Sequence, residues 1–260
     1  MGAWVGDCTG RDGSAGTMLT LFHSMASASP TGGLSVVVPL HNEAGFLPIG
    51  LPRLLEIVVG LADEVWLVEN GSTDATLSLA RQAAAIHPLL RVLALPTPDY
   101  GAALREGFLA ARGEWVVAFD IDYASRRFLE QMDAEKERAD IVLASKRDPA
   151  SSDSRSRLRR IGTVGFNLAL RTLFGSRVSD THGIKAIRRE VITRLAPQVL
   201  STRDLFDTEL VLRAERAGYS IIEVPTQVLE LRAARSSFVK RIPRTVRQLL
   251  RLRRQLGRRP

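Results

Sequence analysis

The chain of 260 residues has one cysteine, Cys8. An intramolecular disulfide is therefore excluded, and a reducing compartment fits. No apolar run approaches the roughly 20 residues that cross a bilayer, and the mean hydropathy is +0.00, so a soluble or peripheral protein is expected. Residues 1–33 carry no basic segment ahead of a sustained apolar one and do not read as a signal peptide. Rich in Gly, Ser, Ala and Thr and without hydrophobic periodicity, they read as a disordered N-terminal extension. No Cys/His spacing of a zinc-bound nucleic-acid reader is present. Acids are missing after Glu230, where eleven Lys or Arg remain; since the whole chain is +8, the first 230 residues carry −3. This basic tail also lacks aromatics beyond Phe238. With a mildly acidic body, that argues against nucleic acid and for an anionic membrane surface.

What is present is an alternation of short elements. Leu34–Pro39, Glu64–Glu69, Leu90–Leu95, Trp115–Asp122 and Asp140–Ala144 read as strands. The stretches ending near Val59, Ile86, Arg112 and Arg138 read as helices. This order predicts an α/β fold with a mostly parallel, doubly wound sheet flanked by helices. Three strand ends carry polar clusters: His41-Asn42-Glu43, Glu69-Asn70-Gly71-Ser72 and Asp120-Ile121-Asp122. In a parallel sheet all three project from the carboxyl edge, where such folds bind ligands. On an extended backbone Asp120 and Asp122 point to the same side, and paired carboxylates suit a hard divalent cation, Mg²⁺ or Mn²⁺.

Val37-Val38-Pro39-Leu40-His41-Asn42-Glu43, Val68-Glu69-Asn70-Gly71-Ser72-Thr73-Asp74-Ala75-Thr76 and Asp120-Ile121-Asp122 resemble the motifs of family-two glycosyltransferases of GT-A (Rossmann-like) fold. Ser179-Asp180-Thr181-His182-Gly183-Ile184-Lys185 and Phe206-Asp207-Thr208-Glu209-Leu210 resemble the polyprenyl-phosphate branch, the dolichol-phosphate mannose synthases and dolichyl-phosphate glucosyltransferases. The resemblance spans about 34–231. It implies that Pro39, Asn42, Glu43, Glu69, Asn70, Ser72 and Ile121 help bind a nucleotide diphosphate sugar. Asp120 and Asp122 would hold the metal, and Asp180, Gly183 and Lys185 would lie beside the transferred sugar. Lys146, Arg160 and Thr163 would meet the acceptor phosphate. The 179–185 segment is nearer the glucosyltransferase pattern than the mannose one, which places UDP-glucose ahead of GDP-mannose.

Three positions depart from the family pattern. Ala124 stands where the mannose synthases often have a glutamine as third metal ligand. Asp99-Tyr100-Gly101 replaces a Gly-Lys-Gly segment, with Arg105 as a candidate substitute cation. Asn70 replaces an aspartate.

The implied reaction is metal-dependent inverting transfer of a hexose to a polyprenyl phosphate. Such an acceptor is already anionic and needs no strong base, in keeping with the basic residues between Lys146 and Arg160. Two alternatives stay open: a hydroxyl acceptor, which would make Asp180 or another acid essential as a base, and a non-catalytic nucleotide-sugar-binding module recruited to membranes. Residues 232–260 read as a basic amphipathic tail. A helix over Ser236–Leu256, interrupted at Pro243, would place Phe238, Ile242, Val246, Leu249 and Leu256 in the acyl boundary of the cytoplasmic membrane face. Leu158–Phe174 is a second amphipathic segment, expected beside the acceptor entrance.

Overall fold

The computed structural model describes residues 33–145, 152–153, 157–178, 181, 183–228 and 238–257. Seven strands form one sheet: β1 (Leu34–Leu40), β2 (Glu64–Asn70), β3 (Leu90–Leu95), β4 (Trp115–Ala118), β5 (Ile141–Ser145), β7 (Lys185–Arg188) and β8 (Ile221–Pro225), in the order β3-β2-β1-β4-β7-β5-β8. The two-residue strands β6 (Ser152–Asp153) and β9 (Gln227–Val228) pair separately. The helices are α1 (Leu47–Val58), α2 (Thr76–Ile86), α3 (Tyr100–Ala110), α4 (Arg126–Glu135), α5 (Arg157–Phe174), α6 (Arg189–Leu195), α7 (Phe206–Arg216) and α8 (Phe238–Leu256).

Period-two alternation divides the central strands between two cores. Val36, Val38, Leu40, Val65, Leu67, Val117 and Val142 face one layer, built by α1, α2 and α4. Val37, Val68, Val116, Ala118, Ile141 and Leu143 face the other, built by α3, α6 and α7. Strands buried on both sides explain why β1, β2, β4 and β5 read as nearly continuous apolar runs. Gly107 lets α3 reach the sheet, since a Cβ there would fall 2.4 Å from Val37 Cγ1.

The sheet is mostly parallel, as expected; the exception is β7, which is antiparallel to β4 and β5, pairing Lys185 with Ala118 and Leu143. The cause lies in α5. It packs in a third cluster with residues of α7 and α8 rather than in either layer on the sheet. The chain therefore re-enters the sheet from the carboxyl edge it left, and runs backwards. β4 is also shorter than expected: it ends at Ala118, and the backbone turns between Asp120 and Tyr123, whose N–H donates to the Asp120 carbonyl at 2.9 Å.

The tail helix is continuous through Pro243, correcting the expected interruption. Its Leu249, Leu252 and Leu256 are buried against Leu170 of α5, Leu205 and Leu212. Part of the stripe assigned to the acyl boundary thus packs on the protein itself, while Val246 and Leu250 stay exposed. Gly33 aside, the expected N-terminal extension lies outside the described residues.

Candidate active site

The loops after β1 and β2 are tied into one wall. The backbone N–H groups of Asn42, Glu43 and Ala44 donate to Ser72 Oγ (3.0 Å), Thr76 Oγ1 (2.8 Å) and Asp74 Oδ2 (3.2 Å). Thr73 N–H donates back to Asn42 Oδ1 at 2.9 Å, and His41 Nδ1 donates to the Asn70 carbonyl at 2.8 Å. Burial tends to raise Asp74, but hydrogen bonds from Thr76 and Ala44 outweigh it and hold this exposed carboxyl below its ordinary value. Asn42 adopts φ 53°, a left-handed conformation that asparagine tolerates better than most side chains. Among the described residues, one other non-glycine, Arg203, has positive φ, at 56°. Strained backbone of this kind clusters at functional sites, and both residues border the loops described here.

Glu69 and Asn70 are buried, and their side chains serve the backbone. Glu69 accepts from Ser72 N–H, and Asn70 Oδ1 accepts from Asp99 N–H at 2.7 Å. The replaced aspartate becomes intelligible here. An amide oxygen makes the same hydrogen bond without placing a second carboxylate beside Asp99. Asp99 caps α3 through Ala102 N–H at 3.0 Å and accepts from Arg203 N–H at 2.7 Å. Gly101 permits that approach, since a Cβ there would lie 2.6 Å from Arg203 N.

This anchoring sets Tyr100 over the D-x-D turn. Its hydroxyl donates to Asp120 Oδ1 at 3.3 Å. Enclosure raises the phenol well above its ordinary value, and the charges of Asp120, Asp207 and Asp122 push it further, although 37% of the residue's surface remains open. Tyr100 is therefore a hydrogen-bond donor throughout the ordinary pH range. The two aspartates are not successive same-side residues of an extended strand, because the turn intervenes. Asp120 is exposed and faces α3; Asp122 is half-buried and also lines a cavity of about 290 Å³ against α1 and α4.

Behind this edge lies a buried polar layer. Lys185 is 1% exposed, and its Nζ donates to Asp207 Oδ2 at 3.1 Å and to the Gly183 carbonyl at 2.8 Å. Thr181 and Thr208 join their hydroxyls at 3.0 Å. Glu209, fully buried, accepts from the N–H groups of Leu200 (3.1 Å) and Ser201 (2.7 Å) and pairs with Arg213 at 2.6 Å. Glu209 thus fastens the loop ahead of α7, a structural task. Asp207 holds the ammonium of a residue expected beside the sugar.

Among the described residues no group of three or more His, Cys, Asp or Glu is arranged around one point. Asp120 and Asp122 supply two hard oxygen donors, and diphosphate oxygens of a donor would complete the set, as is common for Mg²⁺. Ala124 adds no donor atom.

Of the predicted residues, Pro39, Asn42, Glu43, Glu69, Asn70, Ser72, Asp120, Ile121, Asp122 and Lys185 come to one edge of the sheet. Ile121 is buried in the core under the turn rather than open to a ligand. Arg105 pairs with the adjacent Glu106 at 3.2 Å. Lys146 and Asp180 lie outside the described residues, as do the side chains of Arg160 and Thr163 on α5. Sequence reasoning missed the anchoring role of Asp99. The signal was available, as Asp followed three residues later by a free helical N–H is a cap pattern.

The glycosyl transferase family 2 model matches residues 35–195. The chain is 32% identical over 204 residues to the glycosyltransferase AglD of Haloferax volcanii, covering 74% of this chain but 32% of that protein. It is 29% identical over 218 residues to a dolichyl-phosphate beta-glucosyltransferase of Dictyostelium discoideum, covering 76% of this chain and 67% of that one. In fold it is similar to glucosyl-3-phosphoglycerate synthase of Mycobacterium tuberculosis, solved with Mn²⁺, UDP and glucosyl-3-phosphoglycerate. The TM-score is 0.66 at 22% identity, over 94% of this chain and 85% of that one.

Proposed function

Because the chain belongs to glycosyl transferase family 2, we propose that it is a metal-dependent inverting glycosyltransferase. In this reading it moves a hexose from a nucleotide diphosphate sugar, UDP-glucose ahead of GDP-mannose, to a polyprenyl phosphate. The observation that carries the reading is the meeting of three strand-end clusters at one sheet edge, with Asp120 and Asp122 in front of the Lys185–Asp207 pair. An oxygen of the acceptor phosphate attacks the anomeric carbon. The bond from that carbon to the diphosphate breaks, and its electron pair leaves with the nucleoside diphosphate. One displacement inverts the centre. A divalent cation bound by Asp120 and Asp122 would neutralise charge developing on the leaving group.

The lipid acceptor is favoured over a hydroxyl because an anionic phosphate needs no base. The similarity to a dolichyl-phosphate glucosyltransferase supports the same choice. Among the described residues no helix is long and apolar enough to cross a membrane. Association with the cytoplasmic membrane face would then be peripheral, through the arginines of α8.

The test incubates the protein with labelled UDP-glucose, GDP-mannose and other common donors, polyprenyl phosphate, and Mg²⁺ or Mn²⁺. Lipid-linked sugar is expected. Transfer only to hydroxyl acceptors would replace the lipid acceptor, and nucleotide binding without transfer to any acceptor would leave a binding module. Asp122→Ala is expected to abolish transfer with the fold intact by circular dichroism.

A further inference from the structure

On the side of the sheet covered by α1 and α4, the cavity of about 290 Å³ beside the D-x-D turn has a mixed lining. Its inner wall is apolar. Leu54 of α1 and Ile121 of the turn belong to the buried core, and the Phe46 ring packs beside them. A Cβ on Gly50 would fall 2.7 Å from that ring and 3.0 Å from Ile121 Cγ1, so the bare glycine lets this floor close up. The hydroxyls of Tyr123 and Thr226, also in the lining, meet at 2.8 Å. Ala124 lines the space too, and its single methyl leaves room that a longer side chain would take.

The solvent side is cationic. Arg53, on the second turn of α1, and Arg127, on the first turn of α4, both line the cavity and are exposed. Neither has a carboxylate partner among the described residues, whereas the adjacent Arg126 pairs with Glu130 at 3.4 Å. No acid stands in the first turn of α4, although the helix dipole would favour one there. The lining includes one carboxylate, Asp122, which disfavours a second anionic group on any occupant. Small-molecule pockets usually measure about 300–1,000 Å³. This cavity therefore suits a small ligand, and neither a nucleotide sugar nor a whole polyprenyl chain.

We propose that the cavity binds a small amphiphilic anion, with its single anionic group at Arg53 and Arg127 and a short apolar body against Phe46, Leu54 and Ile121. Burial sets this polarity, since the arginines are exposed while Leu54 and Ile121 are not. Apolar contact supplies affinity, and the guanidinium groups select the anion. Two sources share this chemistry: the phosphate end of a prenyl lipid and a free fatty carboxylate. The inference stands independently of the transfer reaction.

Calorimetry on the 260-residue chain, without nucleotide or metal, tests it with geranyl phosphate and decanoate as probes. Geraniol and inorganic phosphate, each lacking one half of the ligand, are the controls. One probe at least is expected to bind, with both controls weaker by about tenfold or more. Arg53→Gln with Arg127→Gln is expected to weaken the bound probe about tenfold. Ala124→Leu is expected to fill the cavity and remove binding. Preference for geranyl phosphate assigns the site to the end of a prenyl lipid, and equal or tighter binding of decanoate assigns it to a free fatty carboxylate. Failure of both probes overturns the proposal, as does binding that neither variant weakens. Urea unfolding checks that the variants fold; if Ala124→Leu does not, the exposed arginine pair decides alone. Transfer is not read in any arm, so a failure here leaves the glycosyltransferase reading in place.

Discussion

Residue chemistry at this site is mostly support. Asn42, Glu69, Asn70, Asp74 and Asp99 spend side-chain atoms on backbone N–H groups, so the loops at the sheet edge are held before any ligand arrives. The exceptional pair is Lys185 with Asp207, both nearly inaccessible to solvent. Removing one partner leaves the other charge buried and unpaired, which costs about 3–5 kcal/mol, whereas replacing both by apolar residues of similar size is often neutral. Asp207→Ala is therefore expected to lower unfolding stability by about that amount in urea titrations, and Lys185→Met with Asp207→Leu to recover most of it. If the pair also shapes the sugar site, the recovered double variant stays inactive in transfer. A stable and active double variant would make the pair purely structural.

At the scale of elements, the local pattern carried much of the architecture and failed where long-range packing decides. β1, β2, β3 and β5 follow directly from their apolar runs, and the site clusters follow from where those runs stop. β7 was not legible. Its four residues carry no mark of direction, which is set by α5 leaving the sheet to pack with α7 and α8. Lys185 and Asp207 were visible as residues but not as partners, since 22 positions separate them. The tail shows the ambiguity most clearly. A helix with leucines on one face and arginines on the other has the same sequence whether the apolar face meets lipid or protein. The packed arrangement makes a specific forecast. Leu252→Ala opens a cavity in the third cluster and is expected to cost about 2–5 kcal/mol. Leu250→Ala, two residues away on the exposed side, is expected to fall within about 0.5 kcal/mol of the parent. Equal effects in urea unfolding would contradict the seam between α8 and the body.

For the whole molecule, this packing changes how the chain would meet a membrane. The first 230 residues carry −3 and the remainder +11, and Arg247, Arg251, Arg253 and Arg254 on α8 are exposed. With Leu249, Leu252 and Leu256 already buried, attraction would come chiefly from charge, at about 1 kcal/mol per basic residue near an anionic surface. Insertion of apolar side chains would contribute less. The two modes differ in salt dependence, because exposed charges are screened over about 10 Å at 0.1 M and about 3 Å at 1 M, while apolar insertion persists. Deleting α8 is a poor test, since it would uncover Leu170, Leu205 and Leu212 and invite aggregation. Charge substitution on the outer face leaves the seam intact. The 260-residue chain is therefore expected to co-sediment with vesicles containing phosphatidylserine, to release as salt is raised, and to ignore neutral phosphatidylcholine vesicles. Arg247→Gln with Arg251→Gln and Arg254→Gln should lose most of that binding while unfolding at the same urea concentration. Binding that survives high salt and the triple substitution would instead mean that α8 leaves the body and gives its leucines to the lipid.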